Sequence, residues 1–219
     1  MVLLILALML PLAPADAQLL KPAPVPRAGI DYELLLEPQP AYAKKSKREI
    51  AEVFSYGCIH CANFQPLVDE WIAKRMPGSA RWVYVPAAFG ASWDNFARAF
   101  FAAEILDVRK QTHQAAFRGV FEQRKVPGGK LEEIADMYAG FGVDRKRFLA
   151  TMESEAVTGK LAKAREFAVR TGIQGTPTLI LEGKYRINVT SDRGFAGALA
   201  TLDYLLAGPR SVAPPVKPD

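Results

Sequence analysis

Two cysteines separated by two residues close a short apolar stretch, VFSYGCIHC, at residues 53–61. They are the only cysteines among the 219 residues. The apolar and aromatic residues before Gly57 predict the end of a buried strand, and the residues after Cys61 predict a helix. Cys58 would then lie at a helix N-terminus, where unpaired N–H groups and the helix dipole stabilise a thiolate. The pattern indicates a redox-active pair of thiols.

Other uses of a Cys-x-x-Cys pair fit this chain less well. A zinc site needs four ligands, and beside the cysteines the chain has only His60, which would point elsewhere on a helix, and His113, which stands alone. No metal site is therefore predicted. A structural disulfide would close a minimal loop and stabilise the fold little. In redox catalysis, Cys58 would be the exposed nucleophile at the helix start, and Cys61 the shielded thiol that resolves the mixed disulfide.

The first residues predict export. Residues 1–12 are almost entirely apolar, and Ala15, Asp16 and Ala17 form a small-x-small motif, so residues 1–17 are interpreted as a signal peptide cut after Ala17. The run lacks the usual preceding lysine or arginine. The alternatives are a buried helix or a membrane anchor, but spanning a bilayer takes about 20 apolar residues. Export would place the thiols in an oxidising compartment, where disulfides persist.

The composition is that of a globular protein with a sizeable core. It is 50% hydrophobic and 23% charged, which suits one domain or a domain with an insertion. The net charge of +5 is spread along the chain without a basic tract. No nucleic-acid partner is predicted from it.

Strand and helix patterns follow one another in an order that indicates one sheet with an insertion. Strands are predicted at residues 32–36, 49–56, 81–85, 175–181 and 184–189, with a hairpin turn at Glu182 and Gly183 between the last two. Helices are predicted at 58–76 and 192–206, and residues 92–171 carry only helical patterns. The predicted class is α/β, a mixed sheet flanked by helices with an inserted all-helical subdomain.

This order divides the chain into segments. They are a signal peptide (1–17), a Pro-rich linker (18–30), the two parts of the sheet-bearing domain (31–91 and 166–206), the helical insertion (92–165) and a Pro-rich tail (207–219) predicted to be disordered.

Residues outside the cysteine pair also have features that suggest roles. Glu52 lies within the second strand, and a buried acid is costly unless it has a partner or a task. His60 lies between the two cysteines and is predicted to lower the pKa of Cys58, although a solvent-facing helix residue is the alternative. The Thr176–Pro177 bond precedes a strand. If it is cis, it exposes backbone with which a substrate peptide can pair.

The sequence FSYGCIHC, a helical insertion, and GTPT before a hairpin and a final helix together resemble the DsbA family of thioredoxin-fold oxidoreductases, over about residues 32–206. The resemblance implies a thioredoxin-like fold, Cys58 as nucleophile, Cys61 as resolving thiol, His60 as the histidine that stabilises the thiolate, and Pro177 as the cis-proline. It also implies that Glu52 is the buried acid that assists proton transfer, with a lysine partner that the sequence does not locate.

Two residues depart from the family pattern. Ile59 stands where the family usually has proline, and Thr176 stands before the cis-proline where DsbA proteins often have valine and isomerases and reductases have threonine. Because both positions tune the redox potential and substrate release, Ile59 joins His60 and Glu52 as a predicted tuning residue. Thr176 joins Pro177 as a predicted substrate-binding residue.

The resemblance implies an enzyme of the periplasm that introduces disulfides into reduced, unfolded secretory proteins. A DsbB-like membrane quinone reductase would reoxidise it, and it would act as a monomer without a cofactor. A periplasmic reductase or isomerase of the same fold is the first alternative. A chaperone-like module that binds peptides without catalysis is the second, but it would leave Cys58, His60 and Cys61 without a purpose.

Overall fold

The computed structural model describes residues 24–43 and 48–208. Within them are strands β1 (Tyr32–Leu34), β2 (Arg48–Phe54), β3 (Ala80–Pro86), β4 (Thr178–Leu181) and β5 (Tyr185–Ile187). The helices are α1 (Ile59–Lys74), α2 (Ala91–Ile105), α3 (Arg109–Phe121), α4 (Leu131–Ala139), α5 (Arg145–Glu153), α6 (Glu155–Arg170) and α7 (Gly194–Leu206). Their order is the predicted one, and the α/β class is confirmed. The signal peptide, linker residues 18–23 and tail residues 209–219 lie outside the described residues.

The sheet has the order β1-β5-β4-β2-β3 in the described part of the chain. β2 pairs with β3 in parallel and with β4 antiparallel, so the sheet is mixed as predicted. β2 is buried along its length after Arg48 because it has a strand on each side and helices over both faces. The strand that leads to the two cysteines is therefore an interior strand of the sheet, beside β4, which is also buried along its length.

The two faces of the sheet belong to different cores. Side chains alternate along a strand, and in β2 Ile50 packs in the core formed with α1 and α7, whereas Ala51 and Val53 pack in the core shared with the helical block. The block, α2 to α6, enters after β3 and returns the chain to β4. Its division from the sheet at residues 91 and 165 stays a proposal, since α6 runs through residue 165 as one helix.

The hairpin between β4 and β5 turns where predicted. Glu182 and Gly183 both have positive φ, 54° and 64°, and the N–H of Lys184 donates to the carbonyl of Leu181 at 2.9 Å, which closes the turn between the paired residues Leu181 and Tyr185. β4 is shorter than predicted because Pro177 has no N–H for the sheet, so the ladder begins at Thr178. Among the residues described, no helix is long and apolar enough to cross a membrane.

Candidate active site

The corner between β2 and α1 holds Cys58 at the N-cap of the helix. Its N–H donates to the carbonyl of Ser55 at 3.0 Å, and the N–H of Gly57 donates to the Ser55 hydroxyl at 3.1 Å. A Cβ at Gly57 would lie 2.7 Å from the ring of Phe96, so only glycine permits this close approach. The predicted strand-to-helix corner is confirmed.

The sulfur of Cys58 is surrounded by hydrogen-bonding groups. The backbone N–H of Cys61 donates to it at 3.3 Å, and the Cys58 thiol donates to the carbonyl of Thr176 at 3.4 Å. Hydrogen bonding with the Cys61 thiol is the largest of the effects that together lower the pKa of Cys58 from 9.0 to about 6, although burial opposes them. The Thr176 side chain and the backbone N–H groups of Cys61 and His60 contribute to the same lowering.

The prediction that Cys58 is exposed is wrong. Only 8% of the residue is accessible, because the corner and the Thr176 loop enclose it. Cys61 is fully buried, at 0%, so the predicted order of exposure holds. Burial raises the pKa of Cys61 far above its ordinary range. Both thiols are free rather than bonded to each other. With its pKa lowered to about 6, Cys58 is the one of the two that ionises near neutral pH.

Glu52 is buried in the middle of β2, with none of its surface accessible. The indole N–H of Trp82 on β3 donates to its Oε2 at 3.2 Å, and its Oε1 has no hydrogen-bond partner in the part of the chain that the structure describes. Burial raises the pKa of Glu52 to about 8. The residue that contacts this acid is a neutral tryptophan rather than the lysine that the resemblance implies.

A cleft of about 500 Å³ opens beside Cys58. His60, Thr176, Pro177 and Phe195 are among the residues that line it. The Thr176–Pro177 bond is cis, as the substrate-groove prediction required. The structure thus brings together the two cysteines, His60 and the Thr176–Pro177 pair, with Glu52 buried near enough to interact electrostatically with both cysteines.

Comparisons with known proteins agree with this geometry. A protein-family model described as thioredoxin matches residues 43–200. The thiol:disulfide interchange protein DsbA of Pseudomonas aeruginosa is 35% identical over 189 residues, covering 85% of this chain and 87% of its own. DsbA of Azotobacter vinelandii is 34% identical over 199 residues, covering 90% of each. The chain belongs to the DsbA family.

Solved structures of DsbA proteins have the same fold. DsbA from Xylella fastidiosa superposes with a TM-score of 0.77 at 36% identity, over 84% of this chain and 97% of its own. DsbA from Pseudomonas aeruginosa gives 0.75 at 35% identity, over 83% and 93%. The chain is a thiol:disulfide oxidoreductase with the thioredoxin-like DsbA fold, as the resemblance implied.

Ile59, the residue that departs from the DsbA pattern between the cysteines, lies on the other side of the site from the cis-proline. It is about half exposed and lines a separate cleft of about 350 Å³ between α1 and α3. Phe117 and Phe121 of the helical block line the same cleft. Ile59 therefore presents an apolar surface beside Cys58, whereas His60 faces the Thr176–Pro177 side.

His113 is held in the core by two hydrogen bonds, a role that the sequence did not indicate. It is buried, shares a 2.8 Å hydrogen bond with the hydroxyl of Tyr56 through Nδ1, and reaches Oε1 of Gln65 at 3.0 Å through Nε2. Burial lowers its pKa to about 3, so the ring is neutral. The spacing of His113, Ala116 and Phe117, which share one helix face, is the sequence signal that could have placed it in the core. His113 links the helical block to the corner that carries Cys58.

The structure offers no metal site in the residues that it describes. No three histidine, cysteine, aspartate or glutamate side chains converge there. His113 is held by Tyr56 and Gln65 and lies apart from His60 in the active-site cleft.

We expect the thiolate of Cys58 in the reduced protein to titrate with a midpoint near pH 6. Ultraviolet absorbance of the thiolate, followed against pH, measures it. Because the folded-state pKa is lowered from 9.0, the resulting stabilisation of the reduced fold is complete above pH 9 and is lost as pH falls through 6. The Cys58→Ser variant is the control and should lack the transition. A midpoint above pH 8 would contradict the assignment.

We expect Glu52→Gln to stabilise the reduced protein more as pH rises. The pKa of Glu52 is raised from its ordinary 4.5 to about 8 in the folded protein. The stabilisation of the fold that comes from the protonated carboxyl is therefore complete below pH 4.5 and is lost as pH rises through 8. The difference in free energy of unfolding between variant and wild type should grow by about 1.4 kcal/mol per pH unit within that window. Urea unfolding at several pH values measures it.

The matched control for that experiment is Glu122→Gln, because Glu122 is exposed. It should change the free energy of unfolding by less than about 0.5 kcal/mol at every pH. Parallel stability curves for wild type and Glu52→Gln would show that Glu52 is ionised in the folded protein.

Proposed function

We propose that the protein is exported to the periplasm and transfers a disulfide between Cys58 and Cys61 to reduced, unfolded secretory proteins. The observation that carries the proposal is that the two thiols differ in accessibility and in pKa. Cys58 is a partly accessible thiol whose pKa is lowered to about 6, whereas Cys61 is fully buried and its pKa is raised. A low pKa at the outer thiol stabilises the reduced form and makes the disulfide a better oxidant.

The transfer takes place in two exchanges. A client thiolate attacks the Cys58 sulfur, the Cys58–Cys61 bond breaks, and its electron pair goes to the Cys61 sulfur. A second client thiolate then attacks the client sulfur of the mixed disulfide, and Cys58 leaves as a thiolate. The client loses two electrons and the pair gains them. The lowered pKa of Cys58 favours this second exchange, because a thiol of low pKa leaves faster.

Glu52 is proposed to supply the proton that Cys61 needs when it leaves. Cys61 is buried, and its thiolate is unfavourable there. Glu52 lies close enough for its charge to raise the pKa of Cys61 further, and with a pKa of about 8 it holds a proton at neutral pH. Trp82 is proposed to orient the carboxyl group without adding a positive charge.

The remaining roles are proposed from position. His60 donates its backbone N–H toward the Cys58 sulfur, and its side chain lines the cleft. Ile59 is proposed to tune the site from the opposite side. Thr176 and Pro177 line the cleft beside Cys58, where a client backbone would lie during the exchange.

A reoxidising partner is part of the proposal because each transfer leaves Cys58 and Cys61 reduced. A DsbB-like membrane quinone reductase is proposed to restore the disulfide by the same exchange in reverse. The protein is proposed to act as a monomer, since both thiols and the walls of the cleft come from one chain.

A reductase is the second candidate, and Thr176 is the observation that favours it. Its carbonyl accepts from the Cys58 thiol at 3.4 Å, so this residue lies where it can act on the reacting sulfur. Thr176 before the cis-proline and Ile59 between the cysteines are the two residues at which the sequence departs from the usual DsbA pattern.

Substitution of each cysteine tests the mechanism. Cys58→Ser should abolish oxidation of a reduced, unfolded protein, because no mixed disulfide forms. Cys61→Ser cannot form the Cys58–Cys61 disulfide and should also fail to oxidise the reduced client. Given a client that already carries a disulfide, it should accumulate a mixed disulfide, because the Cys58 thiolate displaces one client sulfur as a thiolate and no Cys61 thiol is present to release the other. Rates of client thiol loss and mass spectrometry of the adducts measure the two effects. Full oxidation by the Cys58→Ser variant would refute Cys58 as the nucleophile, and client binding without oxidation by the wild type would show a binding module rather than an enzyme.

The redox potential separates oxidase from reductase. We expect equilibration with glutathione to give a potential less negative than about −220 mV, because a Cys58 pKa near 6 favours the reduced form. Each pH unit by which that pKa is lowered is worth about 1.4 kcal/mol, or about 30 mV for this couple. A potential well below the glutathione range would favour the reductase.

A further inference from the structure

Three exposed apolar side chains lie around the open edge of the sheet at β1. Leu34, Leu36 and Val169 are 67%, 103% and 75% accessible, and we call these three residues the edge patch. They line one cleft of about 500 Å³. Large apolar side chains grouped around a cleft indicate a binding surface, whereas singly scattered ones are normal.

The backbone beside the edge patch is also open. β1 pairs with β5 antiparallel, and the hydrogen bonds from Leu35 N to Lys184 O and from Asn188 N to Asp31 O set the alternation of the ladder. By that alternation, the N–H and C=O of Leu34 point away from β5. Neither group is hydrogen-bonded elsewhere in the described ranges 24–43 and 48–208. At Tyr32 the edge is occupied, because the Tyr32 carbonyl accepts from the N–H of Gly29 at 2.7 Å. The edge can therefore accept another extended chain at Leu34.

The edge-patch cleft is continuous with the active-site cleft. Glu33, Gly172 and Arg186 line both. Arg186 donates to the Glu33 carboxylate and to the Gly172 carbonyl, at 2.6 Å each. These bonds hold the start of the loop that leads to Thr176, and they pair the only two charged side chains shared by the two clefts. The surface shared by the two clefts is therefore held in place by hydrogen bonds, and its two charged side chains are paired with each other.

We propose that the edge patch is a second docking surface for extended apolar segments of the same unfolded client whose cysteine reacts at Cys58. This inference rests on the proposed function. The chemistry fits that occupant: open strand backbone binds the main chain of any sequence, and apolar side chains bind segments that a folded protein would bury. A client held at both places gains effective concentration at the thiol.

Two synthetic dithiol peptides test the proposal. The short one carries only the reacting cysteines and their neighbours, and the long one adds an apolar extension of about eight residues, which spans about 26 Å when extended. The wild type should oxidise the long peptide with the higher kcat/KM. In the triple variant Leu34→Ser, Leu36→Ser, Val169→Ser, kcat/KM for the long peptide should fall about ten-fold, from lost apolar burial. The short peptide should react at the wild-type rate.

The matched control removes three exposed apolar side chains outside both clefts. Val25, Ile30 and Ile105 are 62%, 52% and 43% accessible, and their triple serine variant should oxidise both peptides as the wild type does. An unchanged rate for the long peptide in the edge-patch variant would overturn the proposal, as would an equal loss for both peptides. A wild-type dimer that the edge-patch variant dissolves would assign the surface to a second copy instead. Failure of the wild type to oxidise either peptide would refute the proposed function.

Discussion

The site depends on the hydrogen bond that the backbone N–H of Cys61 donates to the sulfur of Cys58. It exists because Cys58 caps α1, so a helix that begins there turns its unpaired N–H groups toward the sulfur. For Cys58 to cap α1, β2 must end one tight turn before it. That turn requires glycine at position 57, against the ring of Phe96. The enclosed strand and the corner thus converge on one stabilised thiolate.

Burial has opposite consequences for the groups at this corner. It raises the pKa of Cys61 and of Glu52, while hydrogen bonds lower that of Cys58 in spite of partial burial. The buried acid therefore stays protonated at neutral pH, in contact with Trp82 rather than with a cation. Because the partner of Glu52 is a neutral tryptophan, the charge of the Cys58 thiolate is balanced mainly by dipoles. This balance affects how strongly this DsbA-family protein oxidises.

The helical block contributes to the site as well as to the outer core. His113 of α3 holds Tyr56, two residues before Cys58, and Gln65 of α1 at once. On the other side, Arg186 of β5 holds the start of the loop that ends in Thr176 and Pro177. The corner and the loop are thus positioned by residues distant in sequence, and the space between them is the cleft.

The family was predicted from the resemblance of FSYGCIHC, the helical insertion and GTPT to DsbA proteins. Local patterns were enough to predict the order of the elements, the corner with its two cysteines, and the hairpin at Glu182 and Gly183. Each depends on residues close together in the chain, whose periodicity and turn chemistry report backbone geometry directly. The low exposure of Cys58, the tryptophan beside Glu52, the contacts of His113 and the joined clefts at β1 were decided by tertiary structure alone. They arise where strands and helices far apart in sequence pack together, and no local pattern specifies which side chains meet across such an interface.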